Sequence, residues 1–501
     1  MKIKYIIITI VASLISPLSA DSQDYIIDTT FNLDFCFRYP GSLPWEDKTG
    51  MVRQVLQLPD NTLRISGYFK DETNGFNGKN IIKLLPDGSF DPTFLHYGFG
   101  LGHEHVKPYG NYLYAYPGDG FFRIDINTAE RDTAFNTPFI WDIAVSLGEI
   151  FLFDDGSFMM GGDIHYHWGQ PDAKWSRLAM FDANGNYDTS FSHDANLSVL
   201  GIREYDEDRL MLSGSFTMYD SVPIRHVARI YKDGALDTTF HSIFPKRTGV
   251  IHVQNDGKML CGGFTRIDNC DSILGLVRIN ADGSLDSTFN NFNNVQHPDG
   301  LWTANGPNSE SYYVFAACPT ENGRYLFGGQ FENYQGYERH GIVLTDSNGF
   351  LDSMAFTGTG IDTCINCVTY RPRVSVIEPA GNDRYYVGGE FRGFNGQIVE
   401  PLIRIKAVYD NVPDTEMEKE PISIYPNPAY NSITIEQSHI DYIGTCFINI
   451  LNMEGVLVKS IIRETTPPKW NIDIGNLSPG IYIISIDNGG TVSYTQRIVK
   501  L

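Results

Sequence analysis

The stretch that decides the fold is Asp282-Gly283-Ser284-Leu285-Asp286-Ser287-Thr288-Phe289, because the chain repeats it. Close copies end at Phe94 and Phe240, and looser copies end at Phe31, Phe135, Phe191 and Phe356. A phrase that recurs along a chain indicates one supersecondary unit copied in tandem. We call it the terminal phrase, since it ends each copy of the repeat.

The copy that ends at Phe289 predicts four antiparallel strands. They are residues 250–254, 258–264, 275–280 and 284–289, separated by the turn signals Asn255-Asp256-Gly257 and Asp282-Gly283 and by a variable stretch. Alternating apolar residues around Asp-Gly turns are typical of hairpins. Four strands per copy, without helical periodicity, predict the blade of a β-propeller.

A pair of small residues marks the second strand of the copies. The pairs are Ser66-Gly67, Gly161-Gly162, Ser213-Gly214, Gly262-Gly263, Gly328-Gly329 and Gly388-Gly389. Glycine inside a strand is costly unless another part of the protein approaches the backbone closely. The pairs therefore indicate close approach near a propeller axis.

The order of the motifs predicts how the array ends. The chain opens with a terminal phrase, residues 27–31, that has no strands of its own, and the last copy stops at Ile405 without a terminal phrase. An N-terminal strand that completes the last blade removes the free edges of the array. An open solenoid is the alternative, but it does not need this split. We expect an all-β protein with a seven-bladed β-propeller closed by the N-terminal strand, followed by a small C-terminal β-sandwich.

The repeat also resembles a known family. Its signature is Gly-Gly-x-Phe, then Arg-Ile or Arg-Leu, then Asp-Gly-x-x-Asp-x-x-Phe, and it is similar to the delta-60 repeat of bacterial secreted proteins. The resemblance covers roughly residues 25–406 and implies a β-propeller over residues 21–406. It implies a fold and no activity.

Residues 1–20 are typical of a secretory signal peptide. Lys2 and Lys4 precede an apolar run from Tyr5 to Ile15, and Ser19-Ala20 provides a cleavage site. A membrane anchor is the alternative, but the apolar run is short for a bilayer. We expect export, with no membrane insertion of the mature protein.

The C-terminal part begins after a polar linker, residues 407–421. Residues 422–501 contain short alternating strands between Pro, Asn and Gly turns, as in Ile424-Tyr425-Pro426-Asn427-Pro428 and Leu477-Ser478-Pro479-Gly480, which predicts a small β-sandwich. These motifs resemble the C-terminal sorting domain of the type IX (Por) secretion system of Bacteroidetes. The resemblance implies the type IX machinery as a partner, passage through the periplasm and outer membrane, and secretion or surface attachment. An ordinary adhesive sandwich is the alternative.

Composition narrows the classes of partner and cofactor. The 501 residues carry a net charge of −22, which argues against nucleic acid and anionic membranes as partners. The Asp-Gly pairs suit tight turns, and the EF-hand spacing is absent, so we expect no cofactor, with weak calcium binding left open. Histidines at positions 103, 105, 165 and 167 supply two ligands per pair, which predicts no metal site.

Five tryptophans fall on the face of the propeller that carries the long loops. Trp45, Trp141 and Trp302 lie in the connectors between blades, and Trp168 and Trp175 lie in the middle loop of the third copy. Indoles stack on sugars and on other aromatic groups, and loops on a rigid scaffold are common binding sites. The pattern predicts a glycan or peptide site. The alternative is that these side chains plug the loop layer.

Seven cysteines in an exported chain predict disulfides and one odd thiol, for which Cys446 is the candidate. The other six allow 15 pairings. They are Cys36, Cys261, Cys270, Cys318, Cys364 and Cys367. A bridge from Cys36 to Cys364 or Cys367 would lock the ring, and a Cys364–Cys367 bridge competes with it.

The sequence contains no nucleophile elbow, zincin helix, phosphate loop or dinucleotide fingerprint. We therefore predict an exported binding or interaction protein and no catalytic residues. The alternatives are a secreted glycan hydrolase or lyase that uses loop carboxylates, and a purely structural surface protein, because a propeller scaffold does not fix the function.

Overall fold

The computed structural model describes residues 23–38, 49–70, 78–94, 106–115, 121–135, 147–166, 174–262, 275–290, 313–362, 372–409, 423–425, 429–436, 446–452, 457–463, 469–487 and 492–500. The chain divides into two compact units, Met1–Asp410 and Asn411–Leu501. All regular elements in the described residues are β-strands.

The described strands of the first unit form seven antiparallel sheets of three or four strands, numbered in chain order, and three two-stranded hairpins. β1 (Gln23–Ile27) precedes sheet 1, which contains β2 (Met51–Gln57), β3 (Leu63–Lys70) and β4 (Gly78–Leu84). Sheet 2 contains β5 (Val106–Tyr109), β6 (Tyr112–Ala115) and β7 (Phe122–Asp125), and sheet 3 contains β8 (Leu147–Leu152), β9 (Phe158–Tyr166) and β10 (Lys174–Phe181).

Sheet 4 contains β11 (Val199–Glu204), β12 (Arg209–Gly214) and, after the hairpin of β13 (Met218–Tyr219) and β14 (Val222–Pro223), β15 (Val227–Tyr231). Sheet 5 contains β16 (Gly249–Val253), β17 (Met259–Gly262) and β18 (Leu276–Ile279). Sheet 6 contains β19 (Tyr313–Pro319), β20 (Tyr325–Gln330) and, after the hairpin of β21 (Asn333–Tyr334) and β22 (Tyr337–Glu338), β23 (Ile342–Thr345). Sheet 7 contains β24 (Arg373–Gly381), β25 (Arg384–Glu390) and, after the hairpin of β26 (Gly393–Phe394) and β27 (Gln397–Ile398), β28 (Leu402–Tyr409).

The middle strand of a sheet is buried on both faces. Every residue of β17 and β20 is buried, because side chains from the neighbouring sheets cover both sides. A continuous apolar run bounded by turns is the sequence pattern of such a strand. The turns match the prediction: Gly257 has a φ of +81°, and the Gln254 amide donates to the Lys258 carbonyl at 2.8 Å.

The paired glycines permit close packing between sheets. A Cβ atom on Gly328 would lie 2.5 Å from Cγ1 of Val374 in the next sheet, and one on Gly388 would lie 2.7 Å from Cγ1 of Val52. Cβ atoms essentially never lie within 3 Å of such an atom, so a side chain at either glycine would force its neighbour to shift. Sheet 7 thus packs on sheet 1 in the same manner as sheet 6 packs on sheet 7.

The terminal phrase differs from the prediction of a regular fourth strand at residues 284–289. Leu285 makes an isolated bridge with Ile279, and the chain then turns. The Asp286 carboxylate accepts hydrogen bonds from the Thr288 amide at 2.9 Å and the Thr288 hydroxyl at 2.7 Å. This local hydrogen bonding competes with strand pairing and bends the chain.

The phrase instead joins one sheet to the next. Arg278 donates through Nε to Asp286 at 2.8 Å and through a terminal nitrogen to the Ser347 carbonyl of sheet 6 at 2.7 Å. Phe289 packs beneath the Gly349 turn of that sheet, where a Cβ atom would lie 2.5 Å from the ring. The Arg, Asp and Phe of the repeat therefore form an inter-sheet contact.

The N-terminal strand pairs with the last sheet. β1 lies antiparallel to β28, from Gln23 opposite Tyr409 to Ile27 opposite Ile405, and makes sheet 7 four-stranded. Tyr25 is fully buried and stacks on Phe356 with 5.1 Å between ring centroids. The order of the motifs predicted that an N-terminal strand would join the last copy, but the strand that pairs lies at Gln23–Ile27 and not in the predicted phrase of residues 27–31.

The second unit has two described sheets. One contains β29 (Ser423–Tyr425), β30 (Ser432–Glu436) and β33 (Lys469–Asp473), and the other contains β31 (Cys446–Asn452), β32 (Leu457–Arg463), β34 (Gly480–Asp487) and β35 (Val492–Lys500). Ile433 and Ile472 of the first sheet share one buried cluster with Ile450 and Ile484 of the second. Within the described residues, no helix has the length and apolar character needed to cross a membrane.

Candidate ligand-binding site around Trp175

Trp175 is the one predicted tryptophan of the long-loop face that the structure describes. The sequence placed it in a loop, but it is the second residue of β10 and lies opposite His165 of β9 in the register. Its side chain is 61% exposed, although most large apolar side chains of this sheet are buried. Strand pairing therefore fixes the backbone beneath an exposed indole.

Polar groups flank the indole. The His165 ring lies 4.4 Å from it between centroids, and Arg177 Cζ lies 5.1 Å from the ring centroid. Arg177 Nε forms an ion pair with Asp163 Oδ1 at 3.0 Å, and the Ser198 hydroxyl donates a hydrogen bond to Oδ1 at 2.9 Å. These side chains present an aromatic surface beside fixed donors and acceptors, the combination that recognises sugar rings and peptides.

Sheet 4 continues this surface. Leu197, next to Ser198, is 45% exposed, and Met218 on the β13–β14 hairpin is 38% exposed. The Asn196 side-chain oxygen accepts hydrogen bonds from the Thr217 and Met218 amides, both at 2.9 Å. Asn196 therefore holds the hairpin against the connector between sheets 3 and 4.

A half-buried carboxylate holds the backbone next to this surface. Asp194 accepts hydrogen bonds from the backbone amides of Arg177 at 2.8 Å, Leu178 at 3.0 Å and Ala195 at 2.8 Å. Burial raises the pKa of Asp194, and the three amide donors oppose that rise. Asp220 extends the network, since it accepts from the Asp194 amide at 2.9 Å and contacts His193 Nδ1 at 2.5 Å.

The three short hairpins on this face are a feature that the sequence analysis missed. Their turns have positive φ at both central residues, as at Asn395 (+49°) and Gly396 (+75°). Asn-Gly between apolar residues is a recognised signal for such a turn. In the β13–β14 hairpin the Tyr219 side chain is buried, and its hydroxyl donates a hydrogen bond to the Gly234 carbonyl at 2.6 Å.

The other predicted tryptophans, Trp45, Trp141, Trp168 and Trp302, lie outside the described residues, so their placement stays a prediction. The same holds for the histidines at positions 103, 105 and 167.

The cysteines are placed in part. Cys261 and Cys318 are buried free thiols in separate core clusters, so they do not pair with each other. Burial raises the pKa of Cys318 to about 12. Cys36 is half-buried, and its candidate partners Cys364 and Cys367 lie outside the described residues, as does Cys270. The predicted bridges that involve those residues remain predictions.

The turn aspartates are engaged by their own turns. Asp282 accepts hydrogen bonds from the Ser284 hydroxyl at 2.6 Å and the Ser284 amide at 2.9 Å, and these bonds lower its pKa. In the described part of the chain, no group of three or more His, Cys, Asp or Glu side chains is arranged to hold a metal ion.

Comparison with known families concerns both units. Residues 423–501 match the family described as the secretion system C-terminal sorting domain. The chain carries a secretion sorting domain. Residues 58–94, 208–240 and 254–289 match a β-propeller domain of unknown function, DUF5122. The three propeller matches span the terminal phrases that end at Phe94, Phe240 and Phe289, and they bear out the prediction of a β-propeller joined to a sorting tail.

The solved structures that resemble this chain are distant, and no curated protein matches it in sequence. The extracellular domain of the one-component system BT4673 from B. thetaiotaomicron is 13% identical with a TM-score of 0.38, over 94% of this chain and 58% of that chain. The N-terminal domain of Nup159 is 8% identical with a TM-score of 0.42, over 78% and 97%. A protein from Bacteroides caccae is 13% identical with a TM-score of 0.28, over 61% and 92%. This chain therefore spans less than two thirds of the BT4673 domain.

The sorting domain decides the destination of the protein. Chains with this domain are handled by the type IX secretion machinery, and the protein is exported to the cell surface or secreted. The predicted localisation is confirmed.

Proposed function

We propose that this protein is an exported binding module whose Trp175 surface binds a glycan or a peptide. The proposal includes a signal peptide at residues 1–20, a delta-60-like propeller over 21–406, a linker over 407–421 and a sorting β-sandwich over 422–501. The propeller is a rigid scaffold, and the sorting domain delivers it to the outside of the cell.

We infer a closed ring of seven blades from the contacts between sheets. Gly388 of sheet 7 meets Val52 of sheet 1 as Gly328 meets Val374. Arg404 of sheet 7 reaches the Pro86 carbonyl of sheet 1 at 3.4 Å, which parallels the contact of Arg278 with sheet 6. These repeated contacts support closure, and a closed ring leaves no sheet at an open end of the array.

The exposure of Trp175 carries the binding proposal. Trp175 lies on a paired strand and contacts the Arg177 guanidinium, yet the residue is 61% exposed, so much of its apolar surface faces solvent. Stacking of a pyranose or an aromatic side chain on it removes that apolar surface from water. The Asp163 and Ser198 side chains then supply directional hydrogen bonds to hydroxyls or amides.

A glycan panel and a peptide panel with the full-length mature protein test the proposal, and both are scored for retention and for cleavage products. Trp175→Ala is expected to weaken retention at least about tenfold, because it removes the stacking surface. Tyr337→Ala is the matched control, since Tyr337 is 52% exposed on a different sheet and its loss should leave retention unchanged.

Three outcomes would overturn the proposal. Equal retention of the ligand by Trp175→Ala and Tyr337→Ala would show that Trp175 is not the binding site. Cleavage products would favour the hydrolase or lyase alternative. Silence across glycan and peptide panels would favour a structural surface protein.

A further inference from the structure

The exposed indole of Trp175 lies at one end of a row of side chains that crosses from sheet 3 to sheet 4. Arg177 lies beside the indole and forms an ion pair with Asp163 at 3.0 Å. The Ser198 hydroxyl, in the connector between the two sheets, donates a hydrogen bond to the same carboxylate at 2.9 Å. Leu197 precedes Ser198 and is exposed, so the row continues to a second apolar side chain.

A third exposed apolar side chain is held next to Leu197. The Asn196 amide donates to the Met218 carbonyl at 3.1 Å, and the Asn196 side-chain oxygen accepts from the Met218 amide at 2.9 Å. These two bonds fix the exposed Met218 beside the residue that precedes Leu197. The row therefore contains two apolar platforms, the Trp175 indole on sheet 3 and the Leu197–Met218 pair on sheet 4, with polar side chains between them.

Backbone amides along this row already have partners within the protein. The side chains of Asp194 and Asn196 accept hydrogen bonds of 2.8–3.0 Å from amides on both sheets and on the connector. The donors are the amides of Arg177, Leu178, Ala195, Thr217 and Met218. An extended peptide that adds to a sheet edge needs such amides as donors to its own main chain. These contacts therefore disfavour a peptide that binds as an added strand.

The polar side chains between the platforms suit sugar hydroxyls. The contacts of Asp163 with Arg177 and Ser198 both use Oδ1, and a carboxylate has about four lone-pair sites, so Oδ2 can accept from a ligand hydroxyl. The Asp163 side chain is 27% exposed, which leaves it within reach of a ligand. Because the chain carries a net charge of −22, a neutral glycan avoids the repulsion that an anionic glycan would meet.

We propose that this surface binds a linear, neutral oligosaccharide that runs from sheet 3 to sheet 4. One sugar ring stacks on Trp175, the next places its hydroxyls on Asp163 and Ser198, and a third covers Leu197 and Met218. Affinity then depends on chain length, because a single ring covers only one of the two platforms. The inference rests on the binding function proposed for Trp175 and names the class of ligand.

Isothermal titration calorimetry of the full-length mature protein tests the inference. The probes are glucose, xylose and mannose, with the linear disaccharides and trisaccharides of cellulose, xylan and mannan. In at least one series the trisaccharide should bind at least about tenfold more tightly than the monosaccharide, because it also contacts the second platform.

The outcomes separate this inference from the proposed function. Equal affinity for all chain lengths, lost in Trp175→Ala, would overturn the extended site and leave the Trp175 site in place. Binding of peptides at Trp175 without binding of any saccharide would do the same. Binding of no saccharide and no peptide would overturn both.

Variants assign the gain in affinity to the second platform. Met218→Ala should weaken trisaccharide binding at least about threefold and leave monosaccharide binding unchanged, because it removes apolar surface that only a longer chain reaches. Trp175→Ala should weaken the binding of both. Ile398→Ala is the matched control, since Ile398 is 85% exposed on the β26–β27 hairpin of sheet 7 and its loss should change neither affinity. Trisaccharide binding that Met218→Ala leaves unchanged would overturn the extended site.

Discussion

Replacing Asp28 by Asn tests whether the N-terminal strand closes the ring in solution. The Asp28 carboxylate is buried and accepts hydrogen bonds from Arg404 Nε at 2.8 Å and Arg384 Nε at 3.0 Å. It also accepts from the Thr30 hydroxyl at 2.7 Å and the Thr30 amide at 3.1 Å. Both arginines bond Oδ2 and both Thr30 groups bond Oδ1, so Asn, which keeps one acceptor oxygen, loses the charge and one of these two pairs of bonds.

The expected loss follows from those contacts. A hydrogen bond to a charged group contributes about 1.5–3 kcal/mol, and Arg384, which is 36% exposed, regains part of its hydration when the carboxylate is lost. We therefore expect Asp28→Asn to lower the free energy of unfolding by about 2 kcal/mol. With about 2.1 cal/mol/K of unfolding entropy per residue for a unit that ends at Asp410, this lowers Tm by about 2–3 °C.

Asp237 supplies a matched control for this substitution. It occupies the equivalent position in sheet 4 and contacts Arg229 Nε at 2.7 Å and a terminal nitrogen of Arg209 at 3.1 Å. The two sites differ in connectivity, because Asp237 lies 8 residues from Arg229 whereas Asp28 lies 376 residues from Arg404. If β1 pairs with β28 in solution, Asp28→Asn and Asp237→Asn should lower the free energy of unfolding by similar amounts.

Differential scanning calorimetry of the full-length mature protein measures both variants. Burial opposes ionisation of Asp28, but the bonds from Thr30 and Arg404 outweigh it and lower the pKa. The stabilisation is therefore present above about pH 4, the unfolded pKa, and disappears as the pH falls through the folded value. If Asp237→Asn destabilises the protein at pH 7 and Asp28→Asn does not, the N-terminal strand does not close the ring.

Three further outcomes follow from local contacts. Gly389→Ala should lower the free energy of unfolding by about 3 kcal/mol or more in denaturant unfolding, because its Cβ would lie 2.0 Å from the Arg373 carbonyl oxygen. In the control Gly249→Ala the new Cβ meets nothing within 4 Å, so the free energy of unfolding should change by less than about 1 kcal/mol. Cys261 and Cys318 should resist iodoacetamide at pH 8 until the protein unfolds, because burial raises the pKa of both thiols. Mass spectrometry of the labelled native protein measures the reaction, and modification of either cysteine would contradict the prediction. Asp91→Asn should flatten the loss of stability between about pH 4 and pH 2, because hydrogen bonds from Lys83 and Thr93 lower the pKa of Asp91 to about 2.

The repeat predicted the class of fold because its parts are local. Asp282-Gly283 specifies a tight turn through hydrogen bonds within that turn, and the apolar run of β17 specifies a strand covered on both faces. The same kind of local hydrogen bonding made the prediction of a fourth strand at residues 284–289 wrong. Asp286 bonds to Thr288 two residues away, which bends the terminal phrase out of the expected fourth strand.

The candidate sites were harder to predict because they are built from distant segments. Trp175 could be named from the sequence, because a tryptophan in a long, variable segment of the repeat is a candidate for an exposed binding residue. Its neighbour Asp163 could not be assigned, because its contacts with Arg177 and Ser198 depend on the register of β9 with β10 and on the position of sheet 4.

The sequence by itself determined the β-propeller repeat, the sorting domain and the destination outside the cell. Each of these depends on motifs whose residues lie close together in the chain, so their chemistry is set locally. Only the tertiary structure decided that Lys107, Glu149 and Arg203 meet, since they come from three sheets and form ion pairs only when those sheets pack together. Coulomb interactions and burial depend on distance in space, and that distance is fixed by packing between repeats rather than by any one repeat.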